Sequence, residues 1–261
     1  MDHLTHGWEP ELAGSDTLLR QFVLASAHRS VELAERGGGR GEVRPNVSLA
    51  DPASPVMFDN VAVLLQPPAY VDLDATMQEI LAFYPPERHV VLLSAWPTPD
   101  LSADGFELMG HPPLMFRPPG GEAPPAPDGL DIRAVTSEAA LADFVTTMVE
   151  AYPMPGAERT MLSNPALLDG PVRLFVGYVD GRPVATAGAR LGHGLVDVEW
   201  VSARPEVRGQ GIGAALTWAA TLVEPDLPAA LIASDDGQPV YERMGFIRMM
   251  RLTLWHRPGP G

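Results

Sequence analysis

Residues 208–213 read Arg-Gly-Gln-Gly-Ile-Gly, with glycine at 209, 211 and 213. Glycines at this spacing let successive backbone N–H groups turn toward one point, which suits an anion. Ala214, Ala215, Leu216, Trp218, Ala219 and Ala220 follow and favour a helix. A helix N-terminus behind such a loop is best matched by phosphate. The loop lacks the Gly-Lys-Ser/Thr of a Walker sequence. Through Gly209, Gly211 and Ala214 it meets only the weaker form of a dinucleotide fingerprint, and no acidic residue ends a second strand. Two carboxylates precede the loop. Asp197 and Glu199 alternate with Val198 and Trp200, so on a strand they share a face. A carboxylate there can take an amine proton through water or hold an ammonium group; the alternative is a rim carboxylate paired with an arginine. Trp200 is expected in the core. Downstream, Ser234-Asp-Asp-Gly-Gln-Pro-Val-Tyr-Glu-Arg-Met-Gly-Phe246 places Pro239 in the first turn of a short helix and offers Tyr241 as a proton donor.

The glycine loop resembles the pyrophosphate-binding motif of the GNAT superfamily of N-acetyltransferases, Arg/Gln-x-x-Gly-x-Gly/Ala, which Arg208, Gly211 and Gly213 satisfy. The stretch 234–246 is similar to the family's Asn-x-x-Ala-x-x-Leu/Val-Tyr-x-x-x-Gly-Phe. Tyr241, Gly245 and Phe246 match, while Ser234 replaces the Asn and Gly237 the Ala. The 33-residue step from Arg208 to Tyr241 accommodates helix, strand and helix.

The resemblance implies transfer of an acetyl group from acetyl-CoA to a primary amine, small-molecule or peptide, by direct attack in a ternary complex, with no metal. It implies that the fourth and fifth strands splay around pantetheine. Backbone groups of Val201, Ser202 and Ala203 would hold the cosubstrate. Arg208, Gly209, Gln210, Gly211, Ile212, Gly213 and Ala214 would bind the pyrophosphate, and Ser234 would complete the set. Tyr241 would be the general acid and Glu199 the preferred base. The competing role for Tyr241 is a packed aromatic. Tyr152, Met154 and Pro155 are expected at the acceptor cleft, with Asp143 and Glu150 attracting a cation. Two other functions stay open: an acetyl-CoA sensor without turnover, and a tandem acyltransferase of thiol-cofactor biosynthesis.

The composition narrows the partners. The net charge is −15, from 18 arginines against 33 acidic residues, and lysine is absent. An acidic chain is a poor match for nucleic acid and compatible with a cationic substrate. Without cysteine there is neither a disulfide nor a thiolate metal site. His3 and His6 have no further ligands nearby. No apolar run reaches the roughly 18 residues of a membrane span, and the N-terminus does not read as a signal peptide. A cytoplasmic monomer or homodimer is expected.

The positioning elements follow from periodicity. Helices are expected over 16–34 and 71–83, and strands over 45–50, 57–66 and 90–93. A strand pair over 106–116 is interrupted by Pro112-Pro113. The stretch 118–129 is a Pro/Gly linker. Beyond it come a strand over 130–134, a helix over 136–152 and a short helix near 157–168. Strands over 172–178 and 183–190 are joined by an Asp180-Gly181 hairpin. After the turn Gly192-His193-Gly194, a strand over 196–202 feeds the loop. The rest is helix 211–223, strand 229–233, short helix 237–243 and strand 246–256. This is the element order of the GNAT fold, an α/β chain with a mixed sheet.

A constant offset of 140 places Gly105-Phe106 on Gly245-Phe246, Ser94 on Ser234, Val61 on Val201 and helix 73–83 on 213–223. Two GNAT-like domains in tandem are therefore expected, 1–117 and 130–261 with linker 118–129. The first is degenerate: Pro68, Val71 and Leu73 stand where Arg208, Gly211 and Gly213 do, and Leu101 stands where Tyr241 does.

Overall fold

The computed structural model describes residue 8 and residues 17–153, 156 and 160–259. His3, His6, Met154 and Pro155 lie outside the described residues. The chain forms two compact units, each built on its own mixed sheet.

The first unit comprises Met1–Ala53, Met57–His111 and Arg251–Gly261. Helix α1 (Leu18–Arg36) starts at Thr17, whose hydroxyl accepts the Arg20 N–H at 3.1 Å and satisfies one orphan donor. Strands β1 (Arg40–Val43), β2 (Val47–Asp51) and β3 (Val61–Leu64) form an antiparallel run. Helix α2 (Leu73–Phe83) then crosses to β4 (Val90–Ser94), parallel to β3. The edge strand β5 (Glu107–Gly110) does not pair with β4: the chain's last strand, β13 (Thr253–Arg257), lies between them. The order is β1-β2-β3-β4-β13-β5. Leu49, Leu64, Met77, Ile80, Leu92, Phe106 and Trp255 fill the core under α2.

The second unit comprises Ser54–Val56 and Pro112–Met250. Its strands are β6 (Pro113–Arg117), β7 (Leu130–Ala134), β8 (Val172–Val179), β9 (Arg182–Gly192), β10 (Leu195–Ala203), β11 (Ala229–Ile232) and β12 (Ile247–Arg251). Helices α3 (Glu138–Ala151), α4 (Ile212–Thr221) and α5 (Gln238–Arg243) join them. The order is β7-β8-β9-β10-β11-β6-β12. Asp180 and Gly181 both take positive φ, 50° and 76°, which gives the twist-matched hairpin turn their types favour. Helix α4 buries Ile212, Leu216 and Trp218 in a core with Val196, Val198 and Leu231.

The architecture departs from the reading by periodicity at the strands around 106–117 and 246–257. The stretch expected as one pair is β5 and β6, which belong to different sheets. The stretch expected as one last strand is β12 and β13, likewise in different sheets. The units accordingly divide after His111 and after Met250, not at the linker. Pro112 and Pro113 lack the N–H groups a tight return needs, and β6 carries a fully apolar run, Leu114, Met115 and Phe116, that a place between β11 and β12 buries. Stretch 118–129 packs within the second unit. The Gly120 N–H donates to the Pro225 carbonyl at 2.7 Å, and the Arg117 guanidinium donates to the Gly120 carbonyl at 2.7 Å and lies 4.6 Å from the Trp218 ring centre. Strand β1 was not expected. In place of a helix near 157–168 there are 3-10 turns at Met161–Ser163 and Pro165–Asp169, and residues 157–159 lie outside the described ones. Among the described residues, no helix is long and apolar enough to cross a membrane.

Candidate active site

Strand β10 has nine residues, yet its parallel ladder with β11 holds only two pairs, Val196↔Ala229 and Asp197↔Ala230. From Val198 to Ala203 the strand has no register with β11. The two strands part toward their C-terminal ends, which is where the glycine loop begins. On its other side β10 stays paired with β9, with one irregularity: Glu199 faces Gly188 and Ser202 faces Thr186, so Trp200 and Val201 together oppose a single residue. This is a β-bulge, which re-aims backbone groups. Trp200 adopts φ 53°, a left-handed conformation uncommon for a bulky residue. Its ring is half-buried and fills the space that the missing side chain of Gly188 leaves; a Cβ there would come within 2.6 Å of the Trp200 Cε3. Thr186, wholly buried, donates its hydroxyl to the Trp200 carbonyl at 2.8 Å and lies 2.7 Å from the Ser202 hydroxyl.

The loop after β10 is built by backbone conformation. Gly209 and Gly211 take φ of 76° and 79°, where an L side chain is strained, whereas Gly213 sits in the helix with open space at its Cβ position. Gly211 is the residue before α4, no side chain caps this helix end, and the first loop-to-helix bond runs from the Ala215 N–H to the Gly211 carbonyl at 3.0 Å. The N–H groups of Ile212, Gly213 and Ala214 therefore have no acceptor in the helix. They point outward, in line with the positive end of its dipole. The Ile212 side chain itself is buried in the core, so only its backbone belongs to the loop. The Gln210 amide donates to the Glu206 carbonyl at 3.1 Å.

The Arg208 guanidinium turns away from the loop. It donates to the Ala203 carbonyl at 3.1 Å and to the Ala151 carbonyl at 2.8 Å, tying the end of β10 to the end of α3. Arg204 reinforces the tie through an ion pair with Glu150. Asp143 accepts the Tyr178 hydroxyl at 2.8 Å, so both acidic residues expected to attract a cation already serve a neighbour. Tyr152 is exposed at the C-terminal end of α3.

Tyr241 lies on α5, half-buried, its ring edge-on to Phe246 at 6.0 Å. Burial pushes its pKa up to about 12, and the negative charge of Glu199 adds to the shift. Glu199 is thus within electrostatic reach of the phenol. Asp197 is fully buried and stands opposite Arg190 in the β9–β10 ladder, which leaves Glu199, half-buried, as the carboxylate nearer the open end. Ser234 is exposed; its hydroxyl accepts the Gly237 N–H at 3.0 Å, in the turn before α5. A Cβ at Gly237 would lie 3.1 Å from the Ser234 hydroxyl and 3.3 Å from the Tyr241 ring, which accounts for glycine there. Among the described residues, no three His, Asp or Glu side chains are grouped to hold a metal.

Residues 170–248, from β8 to β12, match the family model described as an acetyltransferase (GNAT) domain. The match lies within the second unit and runs from the strand before the hairpin to the strand after α5. The whole chain is similar in fold to a GCN5-related N-acetyltransferase from Kribbella flavida, with 24% identity, a TM-score of 0.63, and 91% of this chain and 96% of that one covered. A GNAT-family protein from Novosphingobium aromaticivorans is similar at 18% identity and TM-score 0.61, covering 91% and 97%. A GCN5-related N-acetyltransferase from Sphaerobacter thermophilus follows at 16% and 0.53, covering 91% and 93%. None of the curated proteins matches the sequence.

The expected β10 residues, the glycine loop, Tyr241 and Glu199 all belong to the second unit. Arg208 and Ser234, both exposed, hydrogen-bond to backbone groups within that unit. Thr186, Gly188 and Arg190, which pack against β10, were not singled out by sequence. A threonine and a glycine two residues apart on one strand carry no local signal of its neighbour's bulge.

Proposed function

We propose that the second unit transfers an acetyl group from acetyl-CoA to a primary amine, with both held in one complex. The observation that carries this reading is the parting of β10 from β11 in front of an uncapped helix N-terminus. A diphosphate fits that end, since the free N–H groups of Ile212, Gly213 and Ala214 converge there and the neighbouring glycines leave room. The parted strands give pantetheine a slot lined by the backbone of Val201, Ser202 and Ala203. Acetyl-CoA supplies the thioester.

Glu199 is suited to receive the proton that the amine nitrogen loses, directly or through water. The backbone N–H groups of the bulge are placed to donate to the carbonyl oxygen as charge develops on it. As the carbon–nitrogen bond forms and the carbon–sulfur bond breaks, Tyr241 donates to the departing sulfur. Its raised pKa keeps the hydroxyl protonated throughout the neutral range. An ordinary thiol pKa is about 8.5. Complete transfer therefore requires that the same apolar slot raise the proton affinity of sulfur as well. The first unit we read as a GNAT-like partner domain without a cosubstrate site.

The test is calorimetric titration of acetyl-CoA into the purified protein and into Gly211→Glu. Micromolar binding that the variant loses supports the reading, and thiol release across a panel of small amines and peptide N-termini then identifies the acceptor. Absence of binding by the wild type refutes it.

A further inference from the structure

We infer that Thr186 on β9 is a positioning residue that aims the Val201 N–H at the acyl oxygen. The inference rests on the acetyl-CoA reading and extends it to a residue outside the motifs. The Thr186 hydroxyl has one hydrogen, and the Trp200 carbonyl accepts it at 2.8 Å. Ser202, at 2.7 Å, must then be the donor to Thr186. One buried oxygen thus holds both flanks of the bulge, the carbonyl before Val201 and the side chain after it. The peptide between Trp200 and Val201 is planar and trans, so its C=O and N–H point in opposite directions. With the carbonyl drawn toward β9, the Val201 N–H faces the opposite side of β10, which is the side where β11 has departed.

The left-handed Trp200 gives this lock a purpose. A tryptophan in that conformation is maintained only where its surroundings over-determine it. Two features of β9 supply that: the Thr186 hydrogen bonds hold the backbone, and Gly188 admits the ring. Without the hydroxyl, the peptide is free to rotate toward ordinary strand geometry. The N–H then leaves its direction while the slot and the glycine loop persist. Loss of Thr186 is therefore expected to touch recognition of the acetyl group and not of the rest of the nucleotide.

The experiment compares wild type, Thr186→Val and Thr186→Ser by titration with acetyl-CoA and with CoA, and by amide exchange over residues 200–203. The valine variant is expected to bind acetyl-CoA about three- to tenfold more weakly, the range a neutral hydrogen bond commands. Its affinity for CoA should stay the same, its exchange at 200–203 should be faster, and serine should restore both. Equal weakening toward acetyl-CoA and CoA would overturn the proposal, because general loosening of the slot does not distinguish them. Unchanged exchange in the valine variant would also overturn it. If the wild type binds neither ligand, the acetyl-CoA reading falls and the aim with it; the exchange comparison still decides whether Thr186 holds the bulge.

Discussion

Replacing each glycine of the loop by alanine separates two kinds of glycine that look alike in sequence. Gly211 has φ 79° and an added Cβ would meet only the Pro127 Cγ at 3.6 Å, an ordinary contact. The cost of Gly211→Ala is thus conformational, about 1–2 kcal/mol for an L residue in the left-handed region. Gly213 lies inside α4 with nothing within 4 Å of its Cβ position and no positive φ. There alanine contributes about 0.5–1 kcal/mol through helix propensity and a less flexible unfolded chain. The two variants should therefore differ by about 2 kcal/mol with opposite signs relative to wild type. For a domain of this size each kcal/mol moves the unfolding midpoint by about 2–4 °C. Thermal unfolding should show Gly211→Ala below wild type and Gly213→Ala at or above it. Acetyl-CoA affinity should fall for Gly211→Ala, whose loop must relax, more than for Gly213→Ala. Two alanines that destabilise equally, or a harmless Gly211→Ala, would refute the assignment of the left-handed turn as the device that opens the helix end.

Glu199→Gln removes a negative charge that raises the Tyr241 pKa, so the phenol should titrate below its present value of about 12 and, with burial retained, still above an ordinary tyrosine. Ultraviolet titration against a Tyr241→Phe control reads this, and an unmoved phenol would mean that the carboxylate does not face it. Gly188→Ala sets a methyl 2.6 Å from the Trp200 ring and 2.8 Å from Leu174, overpacking that should cost about 1–3 kcal/mol and weaken acetyl-CoA binding; wild-type stability in denaturant would contradict the packing. In the first unit, burial and the adjacent His89 hold the His256 pKa below its usual value, against an opposing pull from Glu107. The neutral form is favoured on folding, so this contribution is complete above about pH 6.5 and is lost as pH falls through the depressed value. Denaturant midpoints between pH 5 and pH 8 should drop on the acid side for wild type and less for His256→Gln; parallel curves would refute the linkage.

What sequence reveals and conceals here divides along the range of the interactions. Gly209, Gly211 and the hairpin at Asp180-Gly181 were legible because a positive φ is a local requirement that restricts residue type. Helices α1 and α2 were legible from the spacing of their apolar faces, and α4 from its run of helix-favouring residues. The destinations of β6 and β13 were not. A short apolar run specifies a buried strand, and which sheet receives it depends on partners more than a hundred residues away. The direction of the Arg208 side chain was hidden for the same reason. Its acceptors include the Ala151 carbonyl, 57 positions earlier, and an arginine in a phosphate-loop motif gives no hint of that partner.

The two sheets each contain one parallel crossover, β3-α2-β4 and β10-α4-β11, and the two differ in strand pairing and at the helix N-terminus. In the first unit β3 pairs with β4 through Val61, Ala62 and Val63, three of its four residues, so no slot opens beside it. Helix α2 is capped by Asp72, whose carboxylate accepts the Ala75 N–H at 3.0 Å, and Asp74 adds a second negative charge in the first turn. That end has satisfied one of its own free donors and placed anionic groups where a phosphate would sit. The corresponding end of α4 has glycine in place of aspartate, no side-chain cap and no acidic residue in its first turn, and the strand before it has no partner on its β11 side for six residues, 198–203. The same backbone plan thus yields a closed, self-neutralised helix end in one unit and an open, electropositive one in the other. A few residues at a cap suffice for this, because the electrostatics of a helix terminus act within about its first turn.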